Sequence, residues 1–116
     1  MTEKLQEGAK LDSGKTRYDL IDAYALEQLA LIYTFGVAKY EEENWRKGIS
    51  WKRIFGAIMR HLWAFWTGEE TDKESGLPHL AHAAWGVFTL LNYTKTKREF
   101  DDRPITRKDV IPCKQL

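Results

Sequence analysis

All three histidines of the chain fall within twenty-two residues, from His61 to His79-Leu-Ala-His82, and four carboxylates, Glu69, Glu70, Asp72 and Glu74, lie between them. His79 and His82 stand at i and i+3, so a helix starting near Pro78 projects both from one face. Continuing that face gives Gly86 and Thr89, a small and polar stripe on an otherwise apolar segment. His61 lies about two turns before the end of the preceding apolar segment. In an antiparallel hairpin it comes opposite His79 and His82, with the acidic segment closing over that end. Imidazole with carboxylate suits Mn²⁺, Zn²⁺ or a comparable divalent ion, and carboxylates alone suit Mg²⁺. The competing reading is a pair of buried, hydrogen-bonded histidines beside a solvated acidic loop. At a helix N-terminus, however, the dipole disfavours a charged imidazole, and the neutral form is the one that ligates metal or acts as a base.

Two further groups of residues carry chemistry. Lys10, Lys15 and Arg17 surround Gly14, and a glycine among cations can cradle phosphate; a mobile basic arm is the alternative. Gly14-Lys15-Thr16 imitates the end of a P-loop, but Ala9 stands where that motif needs its first glycine and no strand precedes it. In Lys39-Tyr-Glu-Glu-Glu-Asn44-Trp45, an indole beside an amide can stack a nucleobase and read its edge, whereas core packing is the default for Trp45 and Trp51. Glu41, Glu42 and Glu43 near a helix C-terminus oppose its dipole, which hints at a nearby cation.

The elements that must position these groups are helices. Leu26, Leu29, Ala30, Tyr33, Val37 and Tyr40 recur at three- and four-residue steps and predict an amphipathic helix from Leu20 to about Tyr40. Ser50 is the expected N-cap of a second helix over Trp51–Thr67. Pro78 is expected in the first turn of a third, running to about Lys97. No run shows sustained strand alternation, so the fold class is all-α: three main helices, an N-terminal arm and an irregular C-terminal tail. With 116 residues, 43% of them hydrophobic, the chain makes a single domain, divided into arm (1–19), helical core (20–97) and tail (98–116).

Helices two and three are apolar nearly all round, more than a three-helix monomer covers. Either the chain forms a homo-oligomer through them, or arm and tail wrap the exposed faces. Eighteen Lys and Arg against 17 Asp and Glu argue against stable nucleic-acid binding. No apolar run is long enough to span a bilayer. The polar opening segment lacks the apolar stretch of a signal peptide, and Cys113, the single cysteine, precludes an intrachain disulfide. A cytoplasmic location is therefore expected.

Five motifs follow one another as in a known family: Gly14-Lys-Thr-Arg-Tyr-Asp-Leu20, Lys39-Tyr-x3-Asn-Trp45, Arg60-His-Leu-x-Ala-Phe65, Gly68-Glu-x2-Asp-x-Glu-Ser-Gly76 and His79-Leu-Ala-His82. The chain resembles, over about residues 10 to 93, the phage and prophage dATP/dGTP diphosphohydrolases, associated with MazG-like all-α nucleotide pyrophosphohydrolases. The resemblance implies a dimer or tetramer that uses Mg²⁺ or Mn²⁺ to hydrolyse a purine deoxynucleoside triphosphate to monophosphate and pyrophosphate, in the host cytoplasm if phage-encoded. One departure is clear. The usual MazG-like signature sets Glu-Glu-x-x-Glu and Glu-x-x-Asp on successive helices, and here only Glu69-x-x-Asp72 matches part of it, in a loop.

The resulting assignment takes Glu69, Asp72, Glu74, His79 and His82 as metal ligands and His61, Glu74 and His79 as catalytic groups. Lys15, Arg17, Lys39, Asn44, Trp45 and Arg60 bind the nucleotide, with Lys15, Arg17 and Lys39 on phosphate and Asn44 with Trp45 on the base. Two alternatives stand beside it: a metal-dependent phosphohydrolase acting on another nucleotide, and a phage protein that binds or sequesters nucleotides without turnover.

Overall fold

A computed structural model describes residues 5–104 and 107. Helix α1 spans Ala23–Lys39, α2 Trp51–Trp66 and α3 His79–Thr96, with 3-10 turns at Tyr18–Leu20, Asn44–Lys47 and Arg98–Phe100. Among the described residues the strand-like pairing is one isolated bridge, Thr71 with Pro78. The fold is all-α, as the periodicity predicts. The expectation for Cys113 and for the end of the tail lies outside the described residues.

Capping sets the boundaries. The carboxylate of Asp22 accepts the Ala25 N–H at 2.8 Å, so α1 starts after Asp22 and the apolar residues before it form a separate turn. Ser50 caps α2 by accepting the Arg53 N–H. Asp102 in turn accepts from the Ser50 hydroxyl at 2.5 Å and from the Lys52 N–H at 2.9 Å. Pro78 is the N-cap of α3 rather than its first residue, one position from the expectation.

Helices α2 and α3 form an antiparallel hairpin: Trp51 Nε1 donates to the Lys97 carbonyl at one end, and His61 meets His79 at the other. Between these ends Gly86 lies against Ile58. A Cβ on Gly86 would stand 2.4 Å from Ile58 Cγ1, so only glycine permits this approach. The core is Trp51, Ile54, Ile58, Ala83 and Tyr93, flanked by Trp45, Ile49, Trp85, Leu90 and Phe100, and α1 packs on α3.

The surplus of apolar residues is visible at the surface. Phe55, Met59, Leu62, Trp63 and Trp66 on α2, and Leu80, Val87, Phe88 and Leu91 on α3, are 39% to 77% exposed. Each set follows the same i, i+4, i+7, i+8, i+11 helical spacing, with Ala84 completing the α3 set. The arm does not cover them, since residues 5–22 are themselves exposed throughout. The tail docks elsewhere: Phe100 sits on Gly48, while Arg98 and Arg103 lie over Trp51. No helix among the described residues is long and apolar enough to cross a membrane.

Candidate active site

The acidic segment between α2 and α3 is largely solvent-exposed, as the loop reading expects, and it is also an ordered turn. The Asp72 carboxylate accepts the N–H groups of Glu74 and Ser75 at 2.9 and 3.0 Å, the Asp72 N–H donates to the Leu77 carbonyl, and the His79 N–H to Glu70. These bonds fold Asp72 back toward the hairpin. Burial alone would raise its carboxyl pKa, but the two N–H groups and the nearby His82 and His61 take it below the ordinary value.

The three histidines meet where the hairpin predicts. His61 Nδ1 lies 2.8 Å from His79 Nδ1, and the His61 ring stacks on His82 with centroids 4.5 Å apart and planes 7° from parallel. His79 Nε2 is 2.7 Å from Glu69 Oε1. A carboxylate oxygen only accepts, so that nitrogen carries the proton, and a neutral His79 turns a bare Nδ1 toward His61. His82 Nε2 is 2.7 Å from the Ser75 hydroxyl, which also accepts the Leu77 N–H. Burial, followed by the neighbouring imidazoles, lowers the pKa of His61. Burial also lowers that of His82, against the opposing pull of Asp72.

One ligand atom each from His61, Asp72 and His79 lie within 4.8 Å of one another. A neutral His61 with its proton on Nδ1 donates to the bare His79 Nδ1 across the 2.8 Å. With that proton on Nε2 instead, the two Nδ1 atoms and the Asp72 oxygen are the donor types that suit a borderline divalent ion. The other expected ligands are engaged differently. Glu69 orients His79 in the manner of a carboxylate behind a metal-binding histidine, His82 binds Ser75, and Glu74 pairs with Lys39 at 2.5 Å. Joined to the cluster is His61, which the sequence offered both as a catalytic group and as a helper to the metal ligands.

A cleft of about 1070 Å³ opens beside this centre. Lys39, Asn44, Trp45, Arg60, His61, Asp72, Glu74 and His82 line it, so most of the expected site residues share one wall system. Lys15 and Arg17 do not line it. Arg17 is spent on Asp19 through two hydrogen bonds of 2.8 and 2.7 Å, and Lys15 belongs to the exposed arm. The cleft also holds residues that sequence reasoning missed, among them Tyr33, Arg46, Lys52, Arg53 and Trp85. For Arg46 a signal existed, since it follows Asn44-Trp45 directly. Trp45 packs on the core, as its default reading expects, and also lines the cleft. Its ring is not free, because the Arg46 guanidinium lies 4.3 Å from the centroid.

Fold and site together define an all-α protein with a half-buried histidine and carboxylate centre opening on a cleft lined by cations and aromatic rings. The chain belongs to the dATP/dGTP diphosphohydrolase N-terminal family, whose model it matches over residues 6–103. It is 38% identical over 99 residues to a dATP/dGTP diphosphohydrolase of Salmonella phage PMBT28, an alignment covering 83% of this chain and 33% of that relative. The chain thus spans about a third of the relative's length. No solved structure matches it.

Proposed function

We propose that this chain carries the site for metal-dependent hydrolysis of a purine deoxynucleoside triphosphate, dATP or dGTP, to the monophosphate and pyrophosphate. The observation that supports this most is the convergence of His61, Asp72 and the buried His79 within 4.8 Å, where His61 and Asp72 line a cleft shared with Lys39, Arg53 and Arg60. The name of the phage relative supports the substrate class.

Those three residues would hold Mn²⁺ or a comparable borderline divalent ion, which would supply charge neutralisation to the triphosphate and acidity to a water molecule. The chain's own groups do the rest. Lys39, Arg53 and Arg60 pair with phosphate oxygens. Glu69 fixes the orientation of His79. Glu74, which faces the cleft beside Lys39, accepts the proton of the attacking water. The water oxygen bonds to the α-phosphorus as the bond to the bridging oxygen breaks, and pyrophosphate leaves. Incubation with each dNTP plus Mg²⁺ or Mn²⁺ tests this. The expected products are the deoxynucleoside monophosphate and pyrophosphate; orthophosphate points to another phosphohydrolase, and binding without turnover in either metal overturns both enzymatic readings.

We also infer that the active form is a cytoplasmic homo-oligomer, in the host if the chain is phage-encoded, built on the exposed stripes of α2 and α3. Taking an aromatic side chain as roughly 150–250 Å², the nine residues expose about 1000 Å², against about 800 Å² per partner in a stable interface. Two such hairpins face to face make a four-helix bundle. A Trp63→Glu, Trp66→Glu double variant is expected to sediment as a monomer, and an unchanged mass relative to the wild type would overturn the interface.

A further inference from the structure

The cleft has two ends. At one, Lys39 bonds Glu74 beside the histidine centre. At the other, Tyr33 meets Trp45 and Trp85 edge-on, with centroids 6.4 Å apart in both pairs, and the hydroxyl of Tyr93 donates to the Trp45 carbonyl. Trp85, which lines the cleft, stands three residues beyond His82 on α3, about 4.5 Å along the helix axis. A nucleotide with its phosphates on Lys39 and Arg60 has its base in the same cleft as these rings.

At that aromatic end Arg46 is fixed from two sides. Its guanidinium stacks over Trp45 at 4.3 Å, and its Nε donates to Glu43 at 3.0 Å. Glu43 is the one non-glycine among the described residues with a positive φ, 57°, a left-handed conformation that the surroundings must impose and that recurs at ligand clamps. With Nε engaged by Glu43, the two Nη groups are the remaining donors of a planar guanidinium that belongs to the lining of the cleft. A planar pair of donors matches two adjacent acceptors. Guanine presents such a pair at O6 and N7, whereas adenine replaces O6 with a donor amino group.

We propose that Arg46, held by Trp45 and Glu43, reads the O6 and N7 edge of a guanine base and so favours dGTP over dATP. This assignment rests on the nucleotide reading above and adds a specificity-determining residue to it. A lysine is a poor substitute, because a point charge neither stacks on the indole nor forms a fork.

The experiment is calorimetric binding of dGTP, dATP, dCTP and 7-deaza-dGTP, which lacks the N7 acceptor, without catalytic metal. The wild type is expected to bind 7-deaza-dGTP more weakly than dGTP, a comparison that needs no variant to fold. Arg46→Ala is expected to weaken dGTP about ten- to a hundredfold, to leave dATP within about threefold, and to abolish the difference between dGTP and its deaza analogue. Arg46→Lys should recover only a small part of the loss. Equal weakening of all four nucleotides would mean a phosphate contact, and no weakening would mean packing alone; either overturns the guanine assignment while the function stands. A wild-type chain that binds none of the four overturns the function itself.

Discussion

The basic arm and the acidic loop look equivalent in the sequence. Each is a short, glycine-punctuated run of charge next to an apolar helix, and each is a candidate for binding. Their fates differ. In the arm, Arg17 satisfies itself on Asp19 two residues away and nothing ties residues 5–22 to the body closely enough to shield them. In the loop, Asp72 takes two N–H groups of its own turn, Glu69 reaches His79 on α3, and Glu74 reaches Lys39 on α1. Charge becomes a site where the backbone around it is itself hydrogen-bonded and both flanking segments are helices that share a core. Among the described residues the arm meets an α-helix only at α1.

This contrast can be broken experimentally, starting with the loop. Asp72→Asn keeps an oxygen for the turn but removes the negative charge, so turnover should fall on the order of a hundredfold or more with little change in thermal midpoint; retention of rate would remove Asp72 from the centre. The tail supplies an intermediate case. Asp102 anchors a charged segment through Ser50 and the start of α2, and Asp102→Ala should lower the midpoint of a denaturant titration while sparing the rate.

Acid should act on the loop's neighbours. His61 and His82 have folded pKa values below the ordinary 6.5, so between those values and 6.5 the unfolded chain binds protons that the folded chain refuses. Stability is then full above pH 6.5 and is lost as pH falls below it. Asp72, also depressed, adds a second loss below its ordinary 3.8. Thermal melts from pH 7.5 downward should show the midpoint dropping through the first window, and the drop should shrink in His82→Gln. The smallest effect belongs to the arm: Lys15→Ala with Arg17→Ala should leave stability within about 0.5 kcal/mol and nucleotide affinity within about twofold. A large loss of affinity would mean that the arm closes over bound nucleotide and that the contrast fails.

Much of this was legible before any coordinates. Apolar steps of three and four located the helices, Ser50 marked the start of α2, and the i, i+3 pair of histidines with His61 on the preceding helix implied their meeting. The start of α1 was placed too early because apolar periodicity continues through Leu20, while Asp22 has the side chain that can cap. Which carboxylate meets which histidine was not legible. Glu69 and Asp72 are equivalent as residue types, and only the turn at Asp72 and the register of the hairpin send one to the centre and the other behind His79. Arg46 was missed for a related reason: its importance comes from the plane of Trp45 and the backbone of Glu43, neither of which sequence spacing encodes.

The missing side chain at Gly86 has a consequence beyond packing. Ile58 stands one helical turn from His61, and Gly86 one turn from His82 and two from His79. The separation of the two helix axes at Ile58 and Gly86 is therefore carried, as along a pair of calliper arms, to the imidazoles at the tip. A single methyl group introduced at the pivot would open the jaws on His61 and His79, parting the two imidazoles without altering either of them.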